Sequence, residues 1–185
     1  FDLPNSCIIG ITHSDIKDNR KVKDYSNDYL RIRYLGPQSG AKGYPLLKLA
    51  LDKLWKAQQR FCLDVHFVPM ESAPYIKSHD RYSYAELERI FDETDILVAP
   101  SILYETFGFT VLEALSYGVP VIISGNVGAK DILVDGAGIV IEDIEAEKLC
   151  EILQGLTRQK LELMNKVIVE SQPLSLIHIS EPTRL

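Results

Sequence analysis

Short apolar runs alternate with longer segments of helical periodicity, and this alternation restricts the fold more than any other feature of the chain. The runs are RIRYLG at 31–36, CLDVHFVP at 62–69, a shorter stretch at 74–77, ILVAP at 96–100, VPVIIS at 119–124 and GIVI at 138–141. CIIGIT at 7–12 reads as a further strand or the remnant of one. Between the runs, Leu46, Leu47, Ala50, Leu51 and Leu54 recur with helical spacing and predict a helix over 45–58. Pro45 suits its first turn, where the missing N–H costs nothing. Ser83 and Glu86 have the spacing of a capping box, opening a helix that ends near Asp92. Further helices are expected at 110–117, closed by Gly118, and at 144–154 and 158–169. Five or six short strands separated by helices predict an α/β fold, an open parallel sheet with helices on both faces. Ligands of such sheets bind beyond the carboxyl ends of the strands, near the point where strand order reverses.

Composition removes several classes of function. Lys and Arg total 20 against 26 Asp and Glu, a net charge of −6. That balance argues against a nucleic-acid partner, which needs a basic stripe. Cys7, Cys62 and Cys150 are odd in number and far apart, which fits a reducing compartment better than a disulfide framework or a zinc knuckle. No run is long enough for a transmembrane segment. His13 has no partner at metal-ligand spacing, and no metal is expected.

Three loops follow strands and would meet at one crevice: 36–43, 101–109 and 124–128. In the first, GPQSGAKG, Gly36, Gly40 and Gly43 allow close approach by a ligand, and Lys42 stands just before a helix. A helix start with a nearby ammonium favours phosphate. The string is neither a Walker A loop nor a dinucleotide fingerprint, and an ordinary surface turn is the competing reading. In the second, Glu105 and Glu113 could accept hydrogen bonds from sugar hydroxyls, and Phe107 and Phe109 could flank a ring. Against this, Thr110 and Glu113 also have capping-box spacing, and Glu105 reads equally as a solvated carboxylate. The third, SGNVGAKD, is a glycine turn in which Lys130 would balance Asp131.

The segment ETFGFTVLE, Glu105 to Glu113, has the E-x7-E spacing of a retaining glycosyltransferase family, preceded by PS and followed by EALSYGVPVI. With GPQSGAKG and SGNVGAKDIL in order around it, residues 30–170 resemble the C-terminal, donor-binding half of GT-B enzymes of glycosyltransferase family 4. The resemblance implies a Rossmann-like domain facing a second, N-terminal acceptor domain across a cleft. Its co-substrate would be a nucleotide diphosphate sugar, with no cofactor. Glu113 would hold the ribose and Glu105 the sugar. Gly36, Gly43, Phe107, Gly108, Phe109 and Thr110 would line the donor site, and Lys42 would offset the diphosphate charge. It further implies a cytoplasmic enzyme, with peripheral membrane contact open to the full-length protein. The sequence departs from the family at Pro37, where arginine is common, and at AKD in the third loop, where a glutamate is common. Any second cation must come from elsewhere, with Arg31 and Arg33 on the preceding run as candidates.

Residues 1–29 are expected to be an interdomain segment, and 30–173 the nucleotide-sugar-binding domain, truncated at its C-terminus. LSLIHISEPTR, from Leu174 to Arg184, is very similar to the translation of a transposase adapter used in DNA library preparation, so 174–185 reads as a non-native tail. His79 and Arg81 in SHDRYS are candidates for the border of a nucleotide-base pocket. His66 reads as a satisfied or partly exposed histidine, Trp55 as packed on the sheet, and 17–23 as a solvated surface. The alternatives are a non-catalytic nucleotide-sugar-binding domain, favoured by Pro37, and a sugar-nucleotide epimerase, which would need a base set in the crevice.

Overall fold

The computed structural model describes residues 17–66 and 72–171. The strand expected at 7–12, His13, the end of the 62–69 run and the 174–185 tail lie outside the described residues. Six strands form one sheet: β1 (Leu30–Tyr34), β2 (Phe61–Val65), β3 (Ile76–Ser78), β4 (Ile96–Ala99), β5 (Val121–Ser124) and β6 (Gly138–Ile141). All neighbours pair in parallel, in the order β3-β2-β1-β4-β5-β6. The helices are α1 (Tyr44–Lys56), α2 (Leu87–Asp92), α3 (Phe109–Ser116), α4 (Ala146–Gln154) and α5 (Arg158–Glu170). This is the doubly wound, Rossmann-like α/β fold, and its strand order reverses between β1 and β4.

Burial on both faces explains the near-continuous apolar strands. Ile32, Leu63, Val65, Ile96, Val98 and Ile122 pack in one layer with Leu47, Leu51 and Leu54 of α1 and Leu149 and Leu153 of α4. Their strand neighbours Leu97, Val121 and Ile123 face the other way and pack with Phe91 of α2, Val111 and Leu115 of α3, and Ile168 of α5. The period of two along β4 and β5 therefore feeds two cores from one sheet. Ser83 and Glu86 form the expected capping box, here opening the 3-10 turn Tyr84–Glu86 that leads into α2.

Two expectations need correction and one needs refining. The 17–23 surface is not simply solvated, and neither is the chain that follows it. Tyr25 is buried in the core of the α1 and α4 face, and Lys23 Nζ donates to the Phe91 carbonyl at 2.5 Å. Burial pushes the Lys23 pKa down to about 8. Arg20 reaches the Ile168 and Ser171 carbonyls at 2.6 and 3.0 Å, so the segment straps α5 to the body of the domain. Trp55 lies at the rim, 43% exposed, edge-on to Phe61 and tilted on Tyr75, because it follows the last buried turn of α1. Lys130 faces Glu142 at 3.6 Å and not Asp131, because the 3-10 turn Gly128–Ile132 turns it toward the residue after β6.

Two backbone contacts seat the loops at the carboxyl rim. Gly43 has φ 73°, and a Cβ there would run into the Pro100 carbonyl oxygen just past β4. Ile102 N and Leu103 N donate to the Ala41 carbonyl at 2.9 and 3.1 Å. The first loop is thus laid directly on the second. Gly43→Ala is expected to lower the unfolding free energy by at least about 2 kcal/mol, from left-handed strain plus the clash. Gly40→Ala, whose Cβ would meet nothing within 4 Å, should change it by less than about 0.5 kcal/mol. Denaturant titration of both variants checks the contrast, which equal losses would refute.

Candidate functional site

The first two loops line a cleft of about 450 Å³ where β1 and β4 part, and the third loop backs the second from outside the lining. Its lining includes Gly36, Lys42, Glu105, Phe107, Gly108, Phe109 and Thr110, together with Tyr34, Pro37, Ser101 and Tyr104. Backbone bonds stitch the loops into one unit. Glu105 N donates to the Asn126 carbonyl at 2.9 Å, and Gly128 N donates to the Glu105 carbonyl at 3.0 Å. Ala129 N donates to the Phe107 carbonyl at 2.5 Å. Asn126 Nδ2 and Ser124 Oγ donate to the Ile102 and Ser101 carbonyls at 2.8 and 2.6 Å. The third loop, uninformative alone, is the backing that shapes the second.

Glu105 is held from two sides. Lys42 Nζ stands 2.9 Å from its Oε1, and Ser101 Oγ donates to the same oxygen. Lys42 is partly exposed while Glu105 is four-fifths covered, so the pair presents its polar atoms to the cleft from a mostly buried base. Ser101 was not singled out as a site residue, although it is the serine of the PS that precedes the E-x7-E segment.

Gly108, at φ 97°, caps α3 and points the start of that helix at the cleft. A Cβ at Gly108 would meet Val127 Cγ1 at 2.7 Å, so only glycine lets the second loop settle on the third. The first amides of α3 have no intrahelical acceptor and favour an anion. Phe107 and Phe109 tilt against each other at 5.4 Å beside them.

Glu113 lies one turn further along α3, behind Phe109 and Thr110 and outside the cleft lining. It is 6% exposed, and its Oε2 has no hydrogen-bond partner. The capping-box reading fails here, because α3 starts at Gly108 and no side chain caps it. Burial alone pushes the Glu113 pKa up to about 7. The Tyr82 phenol lies within its field and is pushed up to about 12, chiefly by its own burial and then by Glu113.

Other candidates fall outside the cleft lining. Gly43 is spent on the Pro100 contact. Arg81 is exposed and away from the cleft. His79 Nε2 donates to Asp64 Oδ1 at 2.5 Å and stacks on His66 at 5.0 Å. His66 is satisfied in the core rather than partly exposed. Arg33 Nη1 donates to its Nε2 at 3.2 Å, which assigns the other proton to Nδ1, 3.0 Å from the Asp80 carbonyl. Burial holds the His66 pKa below its ordinary value. Neither arginine of β1 reaches the cleft. Arg31 pairs with Asp95 at 2.5 Å, and Arg33 is buried against Thr94 and His66. Among the described residues lining the cleft, Lys42 is the one cation. Among the described residues no three His, Cys, Asp or Glu side chains gather as a metal site, and no helix is long and apolar enough to cross a membrane.

The unpartnered Glu113 carries a stability cost with a definite pH window. Its folded pKa of about 7 lies above the ordinary 4.5, so the folded protein holds this proton more tightly than the unfolded chain. Stability falls as pH rises from 4.5 to about 7 and stays reduced above it, by about 3 kcal/mol. Glu113→Gln is therefore expected to match the parent in denaturant at pH 4.5 and to exceed it at pH 8. An unchanged pH profile would contradict this.

A model of the family described as glycosyl transferases group 1 matches residues 76–172, more than half of the chain. Both glutamates lie inside the match, and the 36–43 loop lies outside it. Sucrose synthase 2 from Oryza sativa subsp. japonica is 34% identical over 88 residues, 42% of this chain and 11% of that protein. The chain therefore spans only about a tenth of the length of that relative. HepE from Anabaena, solved in complex with UDP-glucose, superposes with a TM-score of 0.63 at 17% identity, over 76% of this chain and 43% of HepE. The C-terminal domain of LpcC, a glycosyl transferase group 1 family protein from Francisella tularensis, gives 0.63 at 18% identity, over 76% of this chain and 82% of that domain. At these identities the superpositions establish the fold, and the family match adds the lineage: this chain belongs to the glycosyl transferases group 1 family and has the GT-B type of domain.

Proposed function

We propose that the chain is the donor-binding domain of a retaining glycosyltransferase, which moves a hexosyl group from a nucleotide diphosphate sugar to a hydroxyl acceptor. The observation that carries this reading is the meeting of Lys42 and Glu105, remote in sequence, at 2.9 Å on the wall of a cleft at the strand-order switch. The UDP-glucose bound to HepE, a protein of the same fold, supports the ligand class. The acceptor side of the cleft would come from an N-terminal domain, in keeping with the chain spanning 43% of HepE.

Each group then has a task. The glycosyl–oxygen bond breaks with its electron pair passing to the nucleoside diphosphate. Lys42 and the first amides of α3 face that developing negative charge, fixed in place before reaction. The acceptor oxygen bonds to the anomeric carbon on the face the diphosphate leaves, and its proton is released. Glu105, anchored by Ser101 and Lys42 through Oε1, keeps Oε2 for hydroxyls of the transferred sugar. Glu113 accepts from the ribose hydroxyls, which would give its orphan Oε2 the partners it lacks. Pro37 and the commitment of Arg31 and Arg33 elsewhere favour a second reading, a nucleotide-sugar-binding domain without turnover. The epimerase reading finds no support, since His66 and His79 are bonded away from the cleft.

Calorimetry of the chain with UDP and with 2′-deoxy-UDP tests the ribose assignment. Glu113→Gln is expected to weaken UDP binding about ten- to a hundredfold, the worth of a hydrogen bond to a charged acceptor. The 2′-deoxy ligand should bind the parent more weakly than UDP and lose less affinity on the substitution, because its 3′-hydroxyl still reaches Glu113. UDP affinity of the parent should rise as pH passes upward through about 7, where Glu113 ionises. Equal losses for both ligands would refute the assignment. Turnover is expected from the full-length enzyme and not from this chain alone; equal rates would refute the need for a second domain, and no turnover from either would favour the binding-only reading.

A further inference from the structure

We infer that Tyr34 is a positioning residue, whose hydroxyl holds the 36–43 loop in the shape that brings Lys42 to Glu105. Tyr34 is the last residue of β1 and is 2% exposed, with its ring tilted against Tyr44 at 5.3 Å. Its hydroxyl donates to the Pro37 carbonyl at 2.7 Å and lies 3.4 Å from the Lys42 carbonyl. These two carbonyls stand at opposite ends of the loop. One hydroxyl proton cannot serve both fully, so the shorter contact takes it and the longer one closes the ring of contacts.

Pro37 has no N–H to offer, so its carbonyl carries the anchoring: it accepts from Ser39 N at 2.8 Å as well as from the phenol. Gly36 is shaped by the same group, since a Cβ there would lie 3.0 Å from the Tyr34 hydroxyl oxygen. At the far end, Lys42 N donates to Ser39 Oγ at 3.3 Å, and Lys42 Nζ meets Glu105 at 2.9 Å. The phenol is therefore the peg around which the glycine loop closes. Burial raises its pKa, which keeps it a proton donor throughout the physiological range.

Tyr34→Phe removes the hydroxyl and keeps the ring. The first readout needs no ligand: trace acetylation by acetic anhydride, followed by peptide mass spectrometry. Lys48, paired with Asp52 at 2.9 Å on α1, is the internal reference. In Tyr34→Phe the labelling of Lys42 relative to Lys48 is expected to rise about three- to tenfold, the worth of one hydrogen bond. An unchanged ratio in a folded variant overturns the inference. If Tyr34→Phe does not fold, Gly36→Ala, which crowds the hydroxyl while keeping it, is read in the same way. The second readout rests on the proposed donor site and compares UDP with uridine by calorimetry. The variant should lose UDP affinity by a similar factor and keep that for uridine, whereas equal losses for both would mean general damage and overturn it. If the parent fails to bind UDP, the donor-site reading falls, and the labelling ratio alone still decides the role of Tyr34.

Discussion

Everything at the carboxyl rim depends on how closely the chain after β1 can approach the chain after β4. The two strands are neighbours, and the loops that leave them must pass in opposite directions around the sheet. Gly43 makes the approach feasible by placing bare backbone against the Pro100 carbonyl. Once that contact is made, the Ala41 carbonyl falls within reach of two amides of the second loop, and the side chain of Lys42 has a short path to Glu105. Gly108 against Val127 repeats the device between the second and third loops. The cleft is therefore a product of backbone proximity, and its charged groups are placed as a consequence.

The same rim carries groups that folding alone does not favour. A carboxylate at Glu113 with an orphan oxygen works against stability at neutral pH, and alternatives of similar size would pack there without that cost. Elsewhere in the domain some buried polar groups are bonded, while the Tyr25 hydroxyl is, like Glu113 Oε2, buried without a hydrogen-bond partner. Asn165 Nδ2 donates to the Gly118 and Lys21 carbonyls, and Arg33 is held by Thr94 and His66.

Much of this was legible in the sequence, and the gaps have physical causes. The strands could be read because burial on both faces leaves mostly apolar residues for them, and α1 because its buried stripe has helical period. Glu105, Lys42 and the glycines were legible as a set because they follow strands in a parallel sheet. Glu113 was ambiguous, since T-x-x-E spacing also describes a capping box; only the position of Gly108 at the helix start separates the two. Tyr34 and Ser101 were missed because each looks like an ordinary strand-end residue until the loops are folded over it. The reading of 17–23 as solvated surface fails because Lys23 and Arg20 sit in a polar string whose partners, on α2 and α5, are distant in sequence. Trp55 touches the sheet as expected, through Phe61 of β2, but its position at the end of α1 carries it to the exposed rim.

The central claim is that the three loops form a single seat for a nucleoside diphosphate sugar. A crystal structure of the chain soaked with UDP-glucose tests it most directly. The diphosphate should lie between Lys42 Nζ and the first amides of α3, with the ribose hydroxyls on Glu113 and the glucose beside Glu105. Density for the nucleotide at the opposite, amino-terminal rim of the sheet, or a cleft left empty at saturating ligand, would contradict the account.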